Sequence, residues 1–184
     1  MTSVLAISGS PSADSTTALV AEQVARRLAV TGHDVRHLAV RDLPAADLLA
    51  GRTDSPALHR TLDQVTTADG LIVATPVYKA SYTGLLKAFL DLLPQSGLVG
   101  KTVLPLATGG TLAHVLTIDY ALRPVLSALG ARHVVTGCFL LDSAIERRGS
   151  GTLWFEAETE LRLHQAVDGF ADALAAGTPL AVAS

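Results

Sequence analysis

Leu71-Ile72-Val73-Ala74 is the stretch that most limits what this chain can become. It follows the turn Asp69-Gly70 and contains no polar residue. A strand with one solvated face alternates apolar and polar residues. An unbroken apolar run is buried on both faces, as in the centre of a parallel sheet with helices above and below. The rest of the chain fits that frame. Val4 to Ile7 reads as strand one, and Ala18 to Leu28 as a helix with Val20, Val24 and Leu28 on one face. Val35 to Val40 is a second, less apolar strand, nearer an edge. Arg41 to Asp54 is a connection. Ser55-Pro56 starts a helix with Pro at its first position, continued by Leu58, Leu62 and Val65. Thr102 to Ala107 is strand four, despite Pro105, which removes a ladder donor. Arg132 to Leu140 is strand five. Leu153 to Ala175 is a last helix with Leu163, Val167, Phe170 and Leu174 facing inward, and residues 176–184 are a loose tail. This β/α alternation predicts an α/β fold: a flavodoxin-like, doubly wound, five-stranded parallel sheet of order 2-1-3-4-5 with helices on both faces. A chain of 184 residues then forms one domain over 1–175.

Composition narrows the function classes. Net charge is −3 with no basic run, which argues against nucleic acid and anionic membranes. No run approaches the ~18 apolar residues of a membrane span, and the N-terminus has no leader pattern, so a cytoplasmic protein is expected. The six His show no metal-ligand spacing, and no metal is expected. Cys138 stands alone in an apolar strand pattern, as a buried inert thiol does. Apolar residues make up 49% of the chain against 17% charged, a surplus that a homo-oligomer accounts for. The helix Leu85 to Leu93, capped by Thr83, is apolar almost all round and so is covered on both sides. A subunit contact and a deep core helix are both open readings.

The chemistry concentrates where strand one hands over to the first helix, at Ser8-Gly9-Ser10-Pro11-Ser12-Ala13-Asp14-Ser15-Thr16-Thr17. The first amides of a helix lack intrahelical partners and carry partial positive charge, so they attract anions. Ser10, Ser12, Ser15, Thr16 and Thr17 place five hydroxyls in eight residues, more than one helix cap uses. Neither Thr17 nor Ala18 is the Glu or Gln of a capping box, so the free donors stay free. The Walker and dinucleotide glycine patterns are both absent. Asp14 opposes an anion and has to point away from it.

Two further loops lie at neighbouring strand ends: Thr75-Pro76-Val77-Tyr78-Lys79-Ala80-Ser81-Tyr82-Thr83-Gly84 and Thr108-Gly109-Gly110-Thr111. In doubly wound sheets ligands bind at that edge. One phosphate cradle, an aromatic loop and a glycine turn suit a flat ring carrying a single phosphate, such as flavin mononucleotide (FMN). Taken singly, Tyr78 is equally a packing aromatic, Lys79 a solvated charge, and His114 a helix-surface residue.

At these residues the chain resembles the NADPH-dependent FMN reductase family. SGSPSADSTT looks like its phosphate loop, and PVYKASYTGLLKAFLD is similar to its second motif. LPLATGGTLAHVLTIDYALRPVLSALGA resembles the FMN reductases of two-component monooxygenases, notably the alkanesulfonate system. The resemblance implies reduction of FMN by NAD(P)H, a homo-oligomer (tetramer or dimer), and a partner monooxygenase that takes FMNH2. By position, Ser10, Ser15, Thr16 and Thr17 hold the FMN phosphate. Pro76, Val77, Tyr78 and Lys79 line the ring, with Thr108, Gly109 and Gly110 opposite. The family's phosphate loop often carries an Arg just after the equivalent of Ser15. Here it has none, which removes a charge-assisted fork and implies looser FMN. Val77 and Lys79 stand where broader relatives often carry Glu and Asn. Lys79 and Arg123 are the loose candidates for the NADPH phosphate. Because the cofactors carry the redox chemistry, no catalytic acid, base or nucleophile is expected. Three alternatives remain: a quinone or azo-dye reductase with bound FMN, a flavodoxin-type electron carrier, and a redox-sensing regulatory subunit.

One local consequence stands apart from the resemblance. Pro124 lies inside the helix expected from about Val115 to Leu129 and has no N–H, so the carbonyl of Tyr120 loses its usual partner. A kink or a π-bulge at Tyr120 follows. The resemblance places such a π-helix beside the flavin at a subunit interface.

Overall fold

The structure is a computed structural model that describes residues 1–149 and 151–177. Its main sheet runs β2 (Asp34–Ala39), β1 (Ser3–Ser8), β3 (Gly70–Pro76), β4 (Thr102–Gly109), β5 (His133–Val134), all parallel, with β6 (Cys138–Leu141) also paired to β4. This is the flavodoxin-like order that the alternation predicts. The strands bury both faces by period two. Val4, Ala6, Ile72, Ala74, Leu104 and Leu106 face one core, shared with α1 (Thr16–Val30) and α6 (Ala157–Gly177). Leu5, Ile7, Leu71, Val73 and Val103 face the other, with α3 (Pro56–Thr67) and α4 (Gly84–Leu90). The Ser55 hydroxyl caps α3 with Pro56 at its first position, and the Thr83 hydroxyl caps α4. In α4, Leu86, Phe89 and Leu90 are buried in this core, while Leu85 stays partly buried beside it.

Pro105 is accommodated by breaking its neighbour. The Val103 carbonyl accepts from the Val135 amide at 3.0 Å, so two residues on, Pro105 turns its missing donor toward the same side. There the expected strand five divides into β5 and β6. Gly137 sits in the gap, where an added Cβ would lie 2.7 Å from the Pro105 carbonyl oxygen. The carbonyls of Val134 and Val135 are taken instead by Arg123, through Nη1 at 2.8 Å and Nη2 at 3.2 Å.

Three other elements depart from expectation. The connection 41–54 contains a short helix, α2 (Ala45–Ala50), ended by Gly51 in the left-handed conformation. The last helix begins at Ala157, not Leu153, because an antiparallel hairpin precedes it: β7 (Ile145–Arg148) and β8 (Thr152–Phe155). The region after β4 is a 3-10 turn at Leu112–His114, a π-helical turn at Ile118–Leu122 and α5 (Arg123–Ala128). The Arg123 amide reaches five residues back to the Ile118 carbonyl. The π turn therefore surrounds Tyr120, where the missing Pro124 donor requires one. The tail expected from residue 176 is part of α6 through Gly177, and residues 178–184 lie outside the described residues. No helix among the described residues is long and apolar enough to cross a membrane.

At the opposite end of the sheet, Lys101 closes α3. Its ammonium donates to the carbonyls of Thr66 and Ala68 at 2.8 and 2.7 Å, and burial holds its pKa below the usual lysine value. These carbonyls belong to the helix end that lacks intrahelical donors. Lys101→Met keeps the length and removes the donors. Thermal denaturation of that variant will show a loss of about 2 kcal/mol and a Tm lower by about 5 °C.

Candidate functional site

The carboxyl ends of β1, β3 and β4 meet at one edge of the sheet, and side-chain hydroxyls bind their loops together. The Thr17 and Thr108 hydroxyls are 2.7 Å apart and buried, joining the start of α1 to the end of β4. The Thr83 hydroxyl donates to the Gly9 carbonyl while accepting from the Leu86 amide, joining the loop after β3 to the loop after β1. An added Cβ on Gly9 would lie 2.5 Å from Leu86 Cβ, so only glycine lets α4 approach the loop this closely.

The loop before α1 leaves several hydrogen-bond donors without an acceptor among the described residues. The Ser15 hydroxyl caps the helix by accepting from the Ala18 amide at 3.0 Å, and the Leu19 amide makes the first intrahelical bond to the Ser15 carbonyl. The amides of Thr16 and Thr17 meet no acceptor among the described residues. The Ser10 hydroxyl accepts from the Ser12 amide. A hydroxyl engaged as acceptor keeps its O–H to donate, so Ser10, Ser15 and Thr16 each retain a donor. Thr17 differs: its hydroxyl is turned inward to Thr108, and its amide faces the helix end.

After β3 the chain makes a tight two-residue turn. Tyr78 and Ser81 exchange backbone hydrogen bonds at 2.8 and 3.1 Å. Between them Lys79 and Ala80 both adopt positive φ, 51° and 63°. Such turns normally use Asn and Gly, and each L-residue here costs about 1 kcal/mol. The strained backbone holds Tyr78 half in solvent, with Lys79 exposed next to it. The Val77 amide donates to the Thr108 carbonyl at 2.8 Å, and Val77 packs with Ile118 and Phe139. The Thr117 hydroxyl donates to the Ala80 carbonyl at 3.4 Å, so the π segment abuts the turn. Gly109 makes room for Phe139, whose Cζ would be 3.0 Å from an added Cβ; Gly110 is open and exposed, with only Asp142 nearby. Burial pushes the Asp142 carboxyl up from its usual pKa. Burial also lowers His37, whose Nε2 lies 3.0 Å from the Ser8 hydroxyl, while Glu22 opposes that shift. Cys138 is buried and its thiol is pushed up by that burial, the state of an unreactive cysteine.

Two arginines change the charge picture. Arg123 is occupied by the Val134 and Val135 carbonyls and by Asp119 at 3.0 Å. Arg147, which composition and spacing do not single out, reaches from β7 to the loop before α1. Its Nη2 donates to the Thr16 hydroxyl at 2.7 Å and to the Asp14 carbonyl at 3.0 Å; Nε lies 3.3 Å from the same hydroxyl, and Nη1 pairs with the Asp14 carboxylate. The one sequence signal for the hairpin is the pair of glycines, Gly149 and Gly151, between the runs Ile145-Glu146-Arg147-Arg148 and Thr152-Leu153-Trp154-Phe155. His114 is half-buried on the 3-10 turn.

Residues 2–146 match the model of a family described as NADPH-dependent FMN reductase. An "FMN reductase (NADPH)" of Pseudomonas putida is 47% identical over 173 residues, 94% of this chain and 88% of the relative. A protein of the same name from Escherichia coli is 50% identical over 142 residues, 77% of this chain and 74% of its own length. Among solved structures, the apo form of the NADH:FMN oxidoreductase EMOB superposes with a TM-score of 0.86 at 48% identity, covering 98% of this chain and 97% of that one.

The strained turn makes a prediction about the ring-side loop. Ala80→Gly will stabilise the protein by about 0.5–1 kcal/mol, because relief of the positive φ exceeds the added freedom of the unfolded chain. Ala80→Val will destabilise it, since a β-branched residue fits the left-handed region worst. Urea denaturation midpoints of the two variants will move in opposite directions.

Proposed function

The chain belongs to the NADPH-dependent FMN reductase family, and from that premise we propose that it catalyses NAD(P)H + FMN + H+ → NAD(P)+ + FMNH2. The observation that carries this reading is the convergence of an anion-ready helix end with two ring-sized loops at one sheet edge. The residues fit FMN. The open amides of Thr16 and Thr17, with the hydroxyls of Ser10, Ser15 and Thr16, suit the phosphate. Pro76, Val77, Tyr78 and Lys79 on one side and Thr108, Gly109 and Gly110 on the other line the place of the ring. Of these, Gly109 acts beneath, by admitting Phe139.

When bound, FMN supplies the isoalloxazine that accepts hydride from the nicotinamide. The chain supplies position. Val77 fixes the loop after β3 to Thr108, the Lys79-Ala80 turn presents Tyr78, and the Thr17–Thr108 bond sets the separation of the phosphate end from the ring end. Holding the reactants in register is the main contribution a protein makes to such a reaction. The nicotinamide nucleotide would enter over the exposed side of Tyr78 and Gly110. Lys79 is exposed there, whereas Arg123 is already engaged, so of the two only Lys79 suits the NADPH phosphate.

We further propose one reductase domain over residues 1–175, acting in the cytoplasm as a homo-oligomer, tetramer or dimer, and handing FMNH2 to a monooxygenase. In support, Leu112, Val115, Leu116 and Tyr120 are all exposed on the segment after β4, and exposed apolar side chains grouped in this way are what subunit contacts cover.

Steady-state oxidation of NADPH with varied free FMN tests the reading. The rate will rise and saturate with FMN, and added quinone will change it little. A rate that ignores free FMN and depends on quinone identifies the quinone-reductase alternative; no NADPH oxidation with either acceptor leaves an electron carrier.

A further inference from the structure

We infer that Arg147 is the phosphate-recognising guanidinium of this protein, delivered by the β7–β8 hairpin in place of an arginine in the loop itself, and that Asp14 occupies it until the phosphate arrives. The inference rests on the reading of the site as an FMN site and adds to it the group that tells FMN from riboflavin.

The loop before α1 contains hydroxyls, amides and one acid, but no cation. A phosphate dianion placed there meets the Asp14 carboxylate with nothing in the loop to offset it. Arg147 offsets it. Three of its nitrogens lie on Asp14 and Thr16, the two residues flanking the Ser15 cap. Its fork therefore lies across the same helix end where the Thr16 and Thr17 amides are open. A planar guanidinium binds two phosphate oxygens at once, which an ammonium cannot do.

The hairpin is built to hold this arginine in place. In the register of β7 and β8, Arg147 lies opposite Leu153 and Ile145 opposite Phe155. Residues directly opposite share a face. Leu153 and Phe155 are buried in the core beside α1, so Arg147 is on the side that faces α1. The Leu153 amide donates to Gln23 Oε1 at 3.3 Å, and the Glu156 amide to the Ala144 carbonyl at 3.0 Å, fastening the hairpin to α1 and to its own root. Arg148 and Glu146 take the other face, with the Arg148 guanidinium 4.9 Å from the Trp154 ring centre.

The partner in the pair is replaceable. The Asp14 side chain is 88% exposed, against 37% for Arg147. Exposed ion pairs contribute little, since water and salt screen them. Turning Asp14 into solvent therefore costs little, and the freed fork then faces the helix end.

Flavin affinities, read from fluorescence quenching without nicotinamide, test this with FMN and riboflavin side by side. Arg147→Gln will weaken FMN by about 10- to 100-fold, the range for a lost hydrogen bond to a charged group, and leave riboflavin unchanged. Arg147→Lys will fall between, keeping charge without the fork. Asp14→Asn will tighten FMN several-fold, roughly as removal of one screened like charge does, again without effect on riboflavin. Equal weakening of both flavins by Arg147→Gln, or no change in FMN, overturns the assignment. Riboflavin binding also reports that each variant is folded. Wild-type protein that binds neither flavin overturns instead the FMN reading on which the assignment rests.

Discussion

The buried 2.7 Å contact between the Thr17 and Thr108 hydroxyls decides where everything at the top of the sheet can be. Thr17 belongs to the first turn of α1, and Thr108 to the end of β4, two strands away in the order β1-β3-β4. In a parallel sheet nothing in the backbone ladder connects a helix start to a strand two places over. A side-chain bond has to do it. The Thr83 hydroxyl does the same between the loops after β1 and β3. With both in place the helix end, the Tyr78 turn and the Gly109-Gly110 corner are one rigid frame. A hydroxyl is the right group for this, because it donates and accepts and so can link two loops without a buried charge.

Two prolines shape the other side of the site, and their effects converge. Pro105 cannot donate toward strand five, so that strand breaks and leaves the carbonyl of Val135 without its ladder partner, beside the outward-facing carbonyl of Val134. Arg123 covers them. Pro124, next in sequence, cannot donate to Tyr120, so the helix opens into a π turn at Ile118–Leu122. Arg123 closes that turn with its own amide and pairs with Asp119 within it. One residue thus ties the sheet defect to the helix defect. The π segment is then fixed beside the ring-side turn through Thr117 and Ala80, and Tyr120 is left 78% exposed. The ring shares its segment with the exposed side chains of Leu112, Val115 and Leu116.

How much of this could be read from the residues follows from how local each cause is. The strand order was legible because Leu71 to Ala74 has to be covered on both faces and the neighbouring runs alternate with helices. A defect at Tyr120 was legible because a missing N–H acts four residues away; of the kink and the π-bulge that both satisfy it, the fold takes the π turn. The division of strand five was half legible: Pro105 announces a lost bond, but the strand that gives way is set by pairing. The Lys79-Ala80 turn was not, since neither residue is the Gly or Asn that marks positive φ; the turn is closed by backbone bonds between Tyr78 and Ser81 and met from outside by the Thr117 hydroxyl. Arg147 was least legible. It lies 131 residues from Thr16, on a four-residue strand too short for its alternation to stand out. The loop's lack of an arginine, read alone, implies weak phosphate binding; the fold sets the Arg147 guanidinium against that loop from a distant strand.

That placement bears on how a flavin is both held and released. An arginine inside the loop moves with the loop, and its fork is fixed by the same backbone that carries the open amides. The backbone of an arginine on a hairpin is anchored by Leu153, Phe155 and Gln23, outside the loop that its guanidinium reaches. Its contact with the ligand can then be exchanged for Asp14 without disturbing the helix end. On the reading proposed above, the phosphate would meet open amides, hydroxyl donors and one half-exposed fork. Among related complexes, differences in affinity lie mostly in the rate of departure, and a carboxylate waiting within reach of the guanidinium gives the departing phosphate a competitor. A site assembled this way suits a flavin that leaves after reduction better than one retained through many cycles.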